Sequence, residues 1–310
     1  MRSRPRKNDA GERRLSAKED RVYYIDLAVT GISFGCMYAV MSVGLTLVYG
    51  LLRILHVAHA AVFALGAYVT VLVADASGSI ALGFLAAILV TPLFGMAIYR
   101  LLYEPLLQYR PDVPMIASVG LLVLMQDAFR IVFGEQGVTF HRNAFSFTTF
   151  NFAGITVSAI QIAIVVTAAV VFTGLHLFTT RTRIGVGWRA TVSRPQIAAS
   201  FGVDPIKVRY LNFAIGSALA AVAGGLVALL NNLVDPTIGF VVSYKALAII
   251  VLGGLGSVRG TLVASLVLGL VEAYGTIFIG AWLDRDAIAF LALIVLLMIR
   301  PQGFTGARTA

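Results

Sequence analysis

Three properties of the chain predict an all-α fold, a polytopic integral membrane helix bundle. Of its 310 residues, 59% are hydrophobic and only 13% charged, whereas a soluble domain carries about 25% charged residues. The apolar residues gather into about eight long segments, most of them reaching the roughly 20 residues a helix needs to cross the hydrocarbon. Charge is kept out of those segments, and residues 1–21 alone hold 12 of the 39 charged side chains. Strict period-2 alternation of the barrel kind is absent, so helices are the spanning element.

The basic tail "MRSRPRKNDAGERRLSAKEDR", residues 1–21, holds eight Lys/Arg and is expected to be cytoplasmic and largely disordered. The apolar run behind it is too long for a cleaved signal and lacks a small-x-small site, so it reads as an uncleaved first span. The apolar segments then run roughly 22–50, 54–74, 79–102, 113–133, 155–178, 210–230, 241–279 and 286–300. The transmembrane domain is thus 22–300, with 301–310 expected to be a cytoplasmic tail. The run 241–279 is too long for one crossing and is interrupted by "GGLGSVRG".

The net charge of +9 reads as membrane topology and contact with anionic lipid, not as nucleic-acid binding. Four histidines and the single Cys36 show no metal-ligand spacing, and Cys36 reads as a small packing residue. No metal and no cofactor are expected.

Block 181–209, "RTRIGVGWRATVSRPQIAASFGVDPIKVR", is strongly basic and should be cytoplasmic, whereas the polar-aromatic 134–154 and "LDRD" at 283–286 suit the outer face. Arg300 and Arg308 would return the C-terminus inside. If the tail and the 181–209 loop share a side, an even number of crossings separates them, yet five apolar segments precede the loop. One segment is then expected to fail to cross, or to be two. The discrepancy falls near "LLRILHVAHA", residues 51–60, and recurs at "GGLGSVRG".

A break at 51–60 also accounts for its polar groups. A lipid-facing Arg at the centre of a helix costs about 2.5–3.5 kcal/mol on insertion scales. Broken helices present such groups to an interior or a cavity. Gly50 would let the chain turn, and Arg53, His56 and His59 would line the translocation path. Gln126, Gly253, Gly254, Gly256, Ser257 and Glu272 are the further path or gate candidates. The sixteen-residue spacing Gly50–Gly66 and Gly253–Gly269 is a faint echo of the kind inverted repeats leave. Asp127 and Arg130, three apart on one helix face, are expected to pair.

Inside 181–209, Ser193 can cap a helix, Pro195 suits its first turn, "QIAAS" continues it and Gly202 can end it. Asp204-Pro205 repeats the start signal. A short helix held between two spans reads either as a docking element or as an interfacial turn on anionic lipid.

Five blocks in order then resemble the permease of the high-affinity branched-chain amino-acid ABC importers: "GLTLVYGLLRILHVAHAAVFALGAYV", "ASVGLLVLMQDAFRIVFG", "RTRIGVGWRAT", "FGVDPIKVRYLNFAIGSALAAVAGGLVAL" and "YKALAIIVLGGLGSVRGTLVASLVLGLVEA". The resemblance covers about residues 22–300. It implies a bacterial inner-membrane subunit paired with a second, related permease, two cytoplasmic ATPases and a periplasmic or extracellular solute-binding protein. It implies that the helix at about 193–202, with Arg189, Pro195, Ala198, Ala199 and Gly202, couples to the ATPase. The family usually has Asn-Phe-Ala-His-Gly where this chain has His56 to Ala60, so His59 matches while His56 and Ala60 depart. Asp127 stands where the family tends to have Asn. Relatives of this build carry urea, short amides and aromatic acids, which keeps the substrate open beyond leucine, isoleucine and valine.

No Gly-x4-Gly-Lys-Ser/Thr occurs, so the chain lacks that phosphate cradle and is not read as an enzyme. Nucleotide hydrolysis is assigned to a partner. The rival is a proton-coupled secondary transporter using His56, His59 and Glu272. An embedded enzyme would need a nucleophile or metal set beside the histidines.

Overall fold

The computed structural model describes the backbone of residues 7–141, 148–152, 155–280, 282–299 and 303–304. The chain forms α1 (Lys7–Leu52), α2 (His59–Ser77), α3 (Ile80–Ile98), α4 (Glu104–Leu106), α5 (Asp112–Phe133), α6 (Ala159–Arg181), α7 (Arg183–Ser193), α8 (Pro195–Ser200), α9 (Pro205–Asn231), α10 (Ile238–Gly253), α11 (Val258–Ile279) and α12 (Arg285–Ile299). Among the described residues, seven helices are long and apolar enough to cross a membrane, and α10 is a shorter apolar one. The strands β1 (Val138–Thr139), β2 (Thr149–Phe152), β3 (Ile155–Ser158) and β4 (Leu233–Val234) were not anticipated. They pair antiparallel as β1–β4 and β2–β3.

Local sequence sets the boundaries. Ser79, Ser257 and Thr182 cap α3, α11 and α7, and Ser158 with Gln161 forms a capping box on α6. Asp204 caps α9 through the Ile206 and Lys207 amides, with Pro205 at the first position, as its sequence signal requires. Ser193 instead ends α7, and Arg194 occupies the N-cap of α8 without a side-chain bond. The whole basic block is a two-helix elbow, not one helix in a loop. Between α3 and α4 a π turn, Tyr99–Tyr103, adds a residue to the helix and turns both tyrosines inward.

α1, α2 and α9 form the buried centre, whereas α3, α5 and α6 are largely exposed. Their outward side chains include Leu93, Leu124 and Val170, each about two-thirds exposed, as a lipid-facing surface requires. Where α1 crosses α11, a Cβ on Gly35 would sit 2.8 Å from the Leu266 Cα. Only glycine permits that approach.

The geometry of α1 bears on two expectations. Where its apolar span begins, α1 meets the β2–β3 end, because the Thr156 amide donates to Asp26 and Gln161 donates to Thr30. At its finish it meets the basic elbow, because Trp188 donates to Asn212 and Asn212 donates to the Leu47 carbonyl. The start of that span and the 181–209 block therefore lie at opposite ends of the bundle. Five helices (α1, α2, α3, α5 and α6) alternate between them, an odd number is the right one, and no segment need fail to cross. The helix also begins at Lys7, inside the tail expected to be irregular; "GERRLSAKED" is rich in helix formers. Arg300, Arg308 and most of the 301–310 tail lie outside the described residues.

Candidate functional site

The first break lies at residues 53–58, between α1 and α2. The chain turns at Arg53, whose φ is 57°, while Gly50 remains helical, so the hinge is three residues later than its glycine implied. Arg53 is exposed at the end of α1 and does not line the interior. From there the segment climbs back into the bundle. Val57 is held by Ser118 of α5, whose hydroxyl donates to the Met115 carbonyl at 2.7 Å and accepts the Val57 amide at 3.3 Å.

His56 and His59 are both fully buried. His56 Nδ1 lies 2.6 Å from the Tyr103 hydroxyl, and its ring packs against His59, Tyr103 and Phe213 with centroids 5.2–5.8 Å apart. His59 begins α2 beside the α1–α9 crossing, where a Cβ on Gly44 would meet both its ring and the Gly216 carbonyl. Its Nε2 has no hydrogen-bond partner among the described residues. The Tyr99 hydroxyl, on the same inward π turn, also lacks one. Burying such groups unpaired costs about 1–3 kcal/mol each.

A second polar centre lies deeper toward the other end. Glu272 is fully buried but not isolated. Its oxygens receive Tyr38 of α1 at 2.8 Å and Lys245 of α10 at 3.2 Å. Lys245 also donates to the Tyr38 hydroxyl at 3.0 Å and pairs with Asp286 of α12 at 2.6 Å. Arg285 approaches Glu272 at 3.5 Å and lies 4.2 Å over the Phe34 ring. Lys245, in "VVSYKALAII", went unremarked in the sequence reading. A lone lysine inside an apolar run was itself the signal. Gln126 is half-buried on α5, next to the exposed Asp127–Arg130 pair at 3.4 Å.

The second break, Gly254–Ser257, separates α10 from α11 as "GGLGSVRG" predicts. Gly254 and Gly256 take φ of 97° and 83°, which favour glycine. A Cβ on Gly256 would lie 3.4 Å from the Gly50 Cα, so the two breaks adjoin at the basic end. Gly253 packs on Gly260 and Thr261 across the turn. Both breaks sit at the same end of the bundle, which is not the arrangement of an inverted pair.

In the elbow, Ala198 is buried and Pro195, Ala199 and Arg189 are exposed. Gly202 ends α8 with φ of 82°. Ile197 and Phe201 stand 47% and 84% exposed beside Ala199, an apolar knob on a basic surface that the sequence reading passed over. The predicted path residues thus occupy separate places: the histidines in the core, the glycines at the basic end, Glu272 and Gln126 toward the opposite end.

Residues 27–299 match the family described as "Branched-chain amino acid transport system / permease component". The chain belongs to that family. It is 33% identical over 296 residues to the "High-affinity branched-chain amino acid transport system permease protein BraD" of Pseudomonas aeruginosa, covering 92% of this chain and 96% of the relative. The permease protein LivH of Escherichia coli is 28% identical over 308 residues, covering 93% and 97%. The permease protein LivM of Escherichia coli is 28% identical over 292 residues, covering 86% of this chain and 67% of the relative. In this branched-chain permease family member, the two breaks and the elbow occupy one end, and the hydrogen bonds through Asn212 join the elbow to α1 and α9.

Proposed function

We propose that this chain is the permease subunit of an ATP-driven ABC importer and forms part of the path for branched-chain amino acids. The family match over residues 27–299 carries the reading. Its partners are a second, related permease, two ABC ATPases and a periplasmic or extracellular solute-binding protein. The likeness to both LivH and LivM supports a pairing of unlike permeases.

The elbow end is cytoplasmic. Among the described side chains, ten Lys/Arg lie at that end against Arg130, Lys245 and Arg285 toward the other, and basic residues are retained inside. The start of the α1 span then faces outward, with the eight Lys/Arg of residues 1–21 running against that rule.

The ATPase docks on α8 through Phe201, Ile197 and Ala199, with Arg189 and Arg194 around them. Its closure shifts α7, and the shift passes from Trp188 through Asn212 to the α1 backbone at Leu47. Six residues later α1 turns at Arg53 into the segment carrying His56. The path switches between outward and inward access as a two-state element biased by partner contacts.

The test is uptake of labelled leucine into proteoliposomes holding the assembled complex, with ATP supplied on the ATPase side. ATP-dependent accumulation exceeding that of urea or acetamide is the expected result. Leucine accumulation by this chain alone, or its collapse by an uncoupler with ATP still present, overturns the reading in favour of a proton-coupled carrier.

A further inference from the structure

At the elbow end, α6 and α11 lie on either side of α1 and leave a cleft of about 450 Å³ between them. Its floor is Thr46, Leu47 and Gly50 of α1, and its walls come from the last turns of α6, from α7 and from the first turns of α11. The deeper wall is apolar, with Phe172, Leu175 and Leu262. The mouth is polar and cationic: Arg189, Arg259, His176, Thr179, Thr180 and Ser193. Among the described residues neither Arg189 nor Arg259 has a carboxylate partner, and both are exposed. Among the described residues no carboxylate lines the cleft.

That donor set selects an occupant. A zwitterionic amino acid would bring an ammonium group and find no acid to receive it. A small free anion would satisfy the arginines but gain nothing from Phe172, Leu175 and Leu262. An anionic phospholipid satisfies both: phosphate at the mouth and chain along the apolar wall. The same helices continue outward with exposed apolar side chains, Val166 and Val170 on α6 and Val263 and Leu266 on α11, which is the surface a lipid chain leaves along. Guanidinium groups suit phosphate oxygens in a forked geometry, with Thr and Ser hydroxyls as further donors.

We propose that this cleft holds one anionic phospholipid from the leaflet at the elbow end, its phosphate against Arg189 and Arg259 and its chain against the α6–α11 wall. The lipid would bridge α7 to α1 and α11. It would therefore sit beside the Trp188–Asn212–Leu47 connection and brace the elbow against the two breaks. This site does not depend on which solute crosses the membrane.

The experiment is native mass spectrometry of the assembled complex after exchange into detergent with phosphatidylglycerol, phosphatidylcholine or glycerol phosphate. One phosphatidylglycerol retained per copy of this chain, in preference to phosphatidylcholine, is the expected result. The Arg189→Gln/Arg259→Gln pair should lower that retention at least roughly tenfold, each basic group near a membrane surface contributing to anionic-lipid attraction. Leu262→Trp, which fills the apolar wall and keeps both arginines, should also expel the lipid. Should the double variant fail to assemble, Leu262→Trp decides. Equal retention of phosphatidylcholine overturns the proposal, as does unchanged retention in the variants. Displacement of the lipid by glycerol phosphate at equal concentration also overturns it, because that result assigns the site to a chainless anion.

Discussion

Lys245 carries its charge at membrane depth, and the three oxygens around it make that tolerable. Tyr38, Glu272 and Asp286 contribute one each within 3.2 Å. Removing one partner of such a buried pair strands the other, at a cost of about 3–5 kcal/mol. Lys245→Met should therefore lower the thermal midpoint of the detergent-solubilised protein sharply, and adding Glu272→Gln should recover part of the loss. If the double variant is as destabilised as the sum of the two singles, the pair is not coupled. The sequence showed both charges and hid their pairing, because two residues 27 apart on different helices share no pattern that periodicity reveals. His56 is the opposite case. Its position in an apolar run marked it as inward-facing, and it is buried. Its partner Tyr103 depends on a π turn that no residue pattern announced. Tyr103→Phe should destabilise by about 1–3 kcal/mol by orphaning His56 Nδ1, read from the same unfolding curves. An unchanged midpoint would remove that bond from the account.

Among the elements, the proposed docking role of the elbow of α7 and α8 separates folding from coupling within two adjacent residues. Ala198 is buried and Ala199 exposed, so Ala198→Arg should prevent assembly of a stable permease. Ala199→Arg should leave it folded, bound weakly to the ATPase and defective in ATP-driven uptake. Normal uptake by Ala199→Arg, at normal expression, contradicts the docking face. The helix start signal at Asp204-Pro205 was legible because capping chemistry is local. The role given to Ser193 was not, because Arg183–Ser193 is itself helical and its amphipathic pattern was read as loop. The first hinge illustrates the same limit. Gly50 reads as a turn residue, yet the left-handed conformation falls on Arg53, while Gly50 stays helical and lies beside Gly256.

For the whole molecule, spans and breaks were largely readable from apolar length, and sidedness was not. Positive charge at 1–21 and at 181–209 argued for one shared side. The packed bundle puts the Asp26 end of the α1 span and the 181–209 block at opposite ends, through contacts to Asp26 at one and to Leu47 at the other. In a Cys36→Ala background, cysteines replacing Thr237 and Gln196 should label from opposite faces with an impermeant maleimide. A cysteine at Asp26 should behave as Thr237 does. Same-side labelling of Asp26 and Gln196 would contradict the packing of α1.

The account rests on the elbow being the surface on which an ATPase acts. Phe201→Cys, in the Cys36→Ala background, places a crosslinker on the exposed knob of α8 in the purified complex. The predicted result is a crosslink to the ATPase subunit whose yield changes with ATP and whose formation arrests leucine uptake. No crosslink in an assembled complex that still transports, or equal capture of the ATPase from Asp284→Cys at the opposite end, contradicts it.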